Sequence, residues 1–131
     1  MLRSILAILA GYVTMILGVT STLAILFFAV RDELPREPGP FTGPQWILWV
    51  EIASSLAVAV LGGYVCALVA RRREVLHGLV LAGIVLALGL LSAAMESGMK
   101  PMWSSIGVML AGVLGVIAGA RWRASHVALL R

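Results

Sequence analysis

The chain has 131 residues, of which 61% are hydrophobic and 12% charged, with ten Lys and Arg against six Asp and Glu and a formal net charge of +4. Ordinary soluble chains are about 45–50% apolar, and a water-soluble domain of this length must cover itself with charge, so the composition speaks against one. The length has room for one domain, 1–131, and the charged residues cluster in short stretches between long uncharged runs.

A helix crosses a hydrocarbon core of roughly 30 Å with about 20 mainly apolar residues. The first run, residues 4–30, carries no charge and predicts a span. It is too long for the h-region of a signal peptide, about 7–15 residues, and reads as a retained helix. The stretch 31–44 follows, with Pro35, Pro38, Pro40 and Pro44 breaking any continued helix. It is expected to be a stiff outer loop.

The second span, 45–70, contains one charge, Glu51. Counted from Trp46 at about 1.5 Å per residue, Glu51 lies about 7–8 Å into the span. An acid at that depth normally faces the interior of a bundle. Ser55 is one turn further on and Ser54 lies beside it, forming a polar outer patch. Two roles are open to Glu51. It is a proton or cation site that titrates when a substrate arrives, or it fixes how the helices meet by pairing with Lys100 or Arg31 or by bonding Ser104, Ser105 or backbone.

Arg71, Arg72, Arg73 and Glu74 join spans two and three, which makes these antiparallel neighbours. The three arginines are candidates for contact with anionic lipid head groups, an attraction of about 1 kcal/mol per charge near the surface. The third span, 75–95, is uncharged, and residues 96–100 link it to the fourth, 101–120. Pro101 suits a first helical turn, and Glu96 and Lys100, four apart, are expected to pair. Trp46, Trp49, Trp103 and Trp122 stand near span ends, where amphipathic rings favour the interface.

Basic residues concentrate on cytoplasmic loops. Arg3, Arg71, Arg72, Arg73, Arg121, Arg123 and Arg131 fall on one side, and Arg31, Arg36 and Lys100 on the other, where Asp32, Glu33, Glu37 and Glu96 also lie. Both termini are therefore expected in the cytoplasm. This topology accounts for the basic balance, and with no interleaved aromatic platform no nucleic-acid partner is expected.

Helices in lipid associate through small residues that let backbones approach. Span four has such a ridge at Gly107, Ala111, Gly115 and Gly119, and span two at Ser55, Ala59, Gly63 and Ala67, with Gly62 alongside. They fit either a tight bundle or a surface that docks on another membrane subunit. His77, His126 and Cys66 are too few for a metal centre, no haem ligation is available, and no catalytic motif appears. No cofactor and no enzyme activity are expected.

The segment TrpValGluIleAlaSer, Trp49 to Ser54, resembles the setting of the membrane Glu in small multidrug exporters. Their Glu belongs to the first span and they lack the long Pro-rich loop, so their activity is not carried over. GlyGlyTyrVal at Gly62 to Val65, ArgArgArg at Arg71 to Arg73 and LeuHisGly at Leu76 to Gly78 together resemble uncharacterised small four-helix inner-membrane proteins of bacteria. That resemblance covers about a third of the chain and implies a bacterial inner-membrane setting without an activity. The sequence thus predicts an all-α membrane protein, a bundle of four transmembrane helices in the cell inner membrane. Its expected role is that of a non-enzymatic accessory subunit or homo-oligomer held by the ridges of spans two and four, including Gly63, Gly115 and Gly119. A small proton- or cation-coupled transporter using Glu51 is the alternative.

Overall fold

A computed structural model describes residues 2–31, 40–71 and 73–129. Pro35, Arg36, Pro38, Arg72 and Arg131, with the acids Asp32, Glu33 and Glu37, lie outside the described residues. Four helices account for nearly all the rest: α1, Leu2–Val30; α2, Gln45–Ala70; α3, Glu74–Met95; and α4, Met102–Leu129. All four are long and apolar enough to cross a membrane, so the chain is built as an all-helical, multi-pass membrane protein.

The helix ends follow from local chemistry. Pro44, at φ −59° and ψ 136°, lends its carbonyl to the Ile47 N–H and opens α2. Arg71 closes α2 in the left-handed conformation, φ 56°, with its N–H on the Ala67 carbonyl. Arg73 opens α3 at φ 50°, its carbonyl accepting the N–H groups of Leu76 and His77. Non-glycine residues seldom sit there, so the link holds two arginines in a conformation that glycine usually supplies. At the other end, Pro101 stands just before α4, and its carbonyl accepts the Ser104 N–H at 3.0 Å. α4 also runs nine residues past the expected limit at Ala120. The uncharged run ends at Arg121, but without Pro or Gly there the helix has no reason to end.

Size is sorted the opposite way from a soluble core. The buried cluster is made largely of small side chains, Ala7, Ala59, Cys66, Ala70 and Ala82, with Leu81 and Val116. Large residues such as Leu9, Leu17, Phe28, Leu61, Leu90 and Leu114 stand exposed on the outside, where lipid is an adequate solvent for them.

α2 is central. It packs most extensively on α4, then on α1, and α3 packs mainly on α4. Along the α2–α4 seam the register climbs in step: Ile52 meets Gly107, Ala59 meets Gly115, and Val60 and Tyr64 meet Gly119. A Cβ on Gly63 would run into the Val116 carbonyl, and one on Gly119 into the Val60 carbonyl. The two backbones therefore touch. The ridges expected on spans two and four face each other inside the chain, and Gly63, Gly115 and Gly119 are all buried. α1 joins through Gly11, against Gly62, Cys66 and Leu81, and through Gly18, against Val58.

Candidate functional site

The polar residues of the bundle gather at the end formed by the start of α2, the end of α3 and the start of α4. The turn after α3 builds this corner. The Glu96 N–H bonds the Ser92 carbonyl at 2.9 Å, and Gly98, at φ 86°, takes the left-handed conformation that reverses the chain. The Met99 N–H returns to the Glu96 carbonyl at 2.9 Å, while the Met99 carbonyl accepts the Phe41 N–H at 2.7 Å. Lys100 follows on a chain fixed from both sides.

Its ammonium donates to Glu51 Oε1 at 2.8 Å, with the lysine and glutamate side chains 30% and 21% exposed. Of the partners open to Glu51, Lys100 is thus the one it has. The expected Glu96–Lys100 contact is not formed: Lys100 reaches across to α2, and Glu96 Oε1 instead accepts the Ser92 hydroxyl at 3.1 Å. Four-residue spacing brings side chains together only along a continuous helix, and Glu96 and Lys100 flank a turn.

The neighbouring hydroxyls divide. Ser54 donates to the Glu51 backbone carbonyl at 3.0 Å within its own helix, while Ser55 reaches the Val108 carbonyl of α4 at 3.4 Å. Ser104 is 1% exposed, and its Oγ has no hydrogen-bond partner among the described residues. Buried hydroxyls are nearly always satisfied, which sets Ser104 apart.

Glu51, Ser55, Lys100, Ser104 and Ser105 line one end of a cavity of about 450 Å³ between the helices. Its walls are Tyr12 to Leu23 of α1 and Val85 to Ala93 of α3, with Glu96 just beyond, and its further end is apolar, with Met15, Leu88 and Met109. On the other side of the ion pair lies a second cavity of about 310 Å³, lined by Phe27, Phe41, Leu48 and Leu23. Glu51, Lys100 and Leu23 border both. The pair therefore stands in the partition between them.

At the opposite end, Arg3, Arg71, Arg73 and His77 surround a recess of about 470 Å³. Arg71 and Arg73 of the expected lipid-contacting trio are thus joined by Arg3 from α1, and Arg72 lies outside the described residues. The turn geometry holds His77 here, its Nδ1 being 3.1 Å from the Arg73 carbonyl. Near the polar end the rings of Trp49 and Trp103 are 5.2 Å apart, tying α2 to α4.

Sequence reasoning singled out Glu51 and its serines but missed the cavity and the contribution of α1. Tyr12, Met15 and Thr20 share one face of α1, yet nothing in a uniformly apolar run marks that face. No group of three or more His, Cys, Asp or Glu side chains able to hold a metal occurs among the described residues. No protein-family model, curated protein or solved structure matches the chain.

Proposed function

We propose that the chain is a non-enzymatic protein of the bacterial inner membrane, working as an accessory subunit beside another membrane protein or copies of itself. In this reading its sequence neighbours run antiparallel and both termini are cytoplasmic. Three guanidinium groups around one recess, against Lys100 alone among the basic residues lining the cavity at the far end, support that orientation. The basic recess would rest against anionic lipid head groups.

The observation that carries the subunit reading is the uneven use of the helices. α2 and α4 form the packed unit, whereas α1 buries only Ala7, Gly11 and Val30 along 29 residues. With the small ridges consumed internally, partner contacts would fall on the outer faces of α1 and α3. Cysteine cross-linking in native membranes tests this. Cys66 is the lone cysteine and is buried, so a Cys66→Ala background carries single probes, Leu9→Cys and Phe28→Cys on α1 and Leu90→Cys on α3. Cross-linked species from these positions are expected. A monomer free of adducts at all three sites, with nothing co-purifying in mild detergent, overturns the reading.

A second reading makes Glu51 the coupling group of a small transporter. The ion pair between two cavities favours it, because exchanging Lys100 for an incoming cation on Glu51 would join them. Proton-coupled flux in liposomes should then disappear in Glu51→Gln, and flux indifferent to that change removes the idea.

A further inference from the structure

The cavity bordered by Glu51, Ser104 and Glu96 has a polar end and an apolar end, and the charges at the polar end do not balance. Lys100 is engaged by Glu51 at 2.8 Å. Glu96, on the same wall, receives only the Ser92 hydroxyl, and no cation lies within ion-pair distance of it among the described residues. The lining therefore carries one carboxylate in excess. Independently, Ser104, whose buried Oγ has no hydrogen-bond partner among the described residues, belongs to the lining of the same cavity, four residues beyond Lys100. A group that supplies both a positive charge and N–H donors would complete the two at once.

Away from this end the walls are hydrocarbon, Met15 from α1, Leu88 from α3 and Met109 from α4. The two wall helices meet at Gly11 and Leu81, and the cavity opens beyond that contact. Its volume of about 450 Å³ falls in the range of small-ligand sites, about 300–1,000 Å³. We infer that this crevice binds an amphiphile with an ammonium head, the head held by Glu96 and Ser104 and the apolar body lying along Met15, Leu88 and Met109. Neither the α1–α3 outer faces nor a partner enters this site, so it is independent of the subunit reading. It would also supply the second reading with its substrate class.

An ammonium head on an apolar body comes from two sources, an ethanolamine phospholipid of the bilayer or a free alkylamine. Native mass spectrometry of the full chain in maltoside micelles separates them, with decylamine, decanol, lysophosphatidylethanolamine and lysophosphatidylglycerol as probes. One adduct per chain is expected with an amine-bearing probe and none with decanol or the glycerol lipid. Decylamine alone identifies a free amine, the ethanolamine lipid alone a membrane lipid, and binding of both the shared head group.

Glu96→Gln keeps the shape of the side chain and should weaken the adduct about tenfold, the loss expected on removing a charged hydrogen-bond partner. Ser104→Ala should raise the melting temperature, because an unpartnered hydroxyl is removed, while weakening amine uptake severalfold. Equal binding of decylamine and decanol, or an adduct unchanged in Glu96→Gln, overturns the inference. Cross-linking from α1 and α3 is a separate measurement and is unaffected by either result.

Discussion

The α2–α4 seam and the α1–α3 crevice belong to one bundle and are built from the same apolar alphabet, yet one closes until main chains touch and the other stays open. Along the seam, Ala59 of α2 meets Gly115 of α4, Gly63 meets the Val116 carbonyl and Gly119 the Val60 carbonyl, so a small residue stands at each close approach. Along the crevice the facing turns carry Tyr12, Met15, Leu88 and Val85. At Gly11, against Leu81, α1 comes close to α3. Closure is thus decided turn by turn, by where the small residue falls, and how apolar a helix is along its length has little part in it.

The contrast breaks most sharply at the seam. Gly63→Ala and Gly119→Ala each place a methyl against a backbone carbonyl that no side-chain rotation can move. Each is expected to cost about 3 kcal/mol, the upper part of the usual overpacking range, read as a lowered unfolding midpoint in mixed micelles. A loss below about 1 kcal/mol at both sites would mean that the backbones are not in contact.

At the mouth of the crevice, Glu51→Gln leaves Lys100 with a neutral acceptor. Both side chains are part exposed, so the pair belongs nearer the solvent-screened than the buried class. A double-mutant cycle with Lys100→Met is expected to return a coupling of about 1 kcal/mol. A coupling indistinguishable from zero would show that the pair holds nothing together.

The smallest effect is expected where neither region is touched. A Cβ on Gly83 meets nothing within 4 Å, so Gly83→Ala should raise stability by about 0.5–1 kcal/mol, the helix-propensity gain of Ala over Gly. The contrast between Gly83 and Gly119, two glycines in membrane helices differing only in what faces them, measures the seam directly.

Much of this frame was legible in the sequence. The span limits 45–70 match α2, and α1 and α3 begin within two residues of expectation, because a charge or a proline marks each boundary. α4 overran its expected end since helical propensity and membrane thickness are separate constraints, and an apolar run reports only the second. The spacing of four disclosed the ridges of spans two and four but not what they face, as lipid-borne partners and a neighbouring span make the same demand on them. The choice of Lys100 for Glu51 was one of several open, settled by the reversal at Gly98. The crevice was hidden altogether. Where both lipid-facing and cavity-facing residues are apolar, nothing in hydropathy tells them apart.

The backbone contact between α2 and α4 also joins segments that leave the ribosome far apart in time. α2 is complete at Ala70, while its partner begins at Met102 and presents Gly119 seventeen residues later. During that interval α1 can already seat on Gly62 through Gly11, but the face of α2 that carries Gly63 still lacks α4. The nascent chain therefore waits in the bilayer as a half-built pair, and its final core appears only as the last span is delivered. A ribosome stalled before that point would strand a sticky helix, and a fragment ending at Met95 would expose to other membrane proteins a groove that the finished chain never shows.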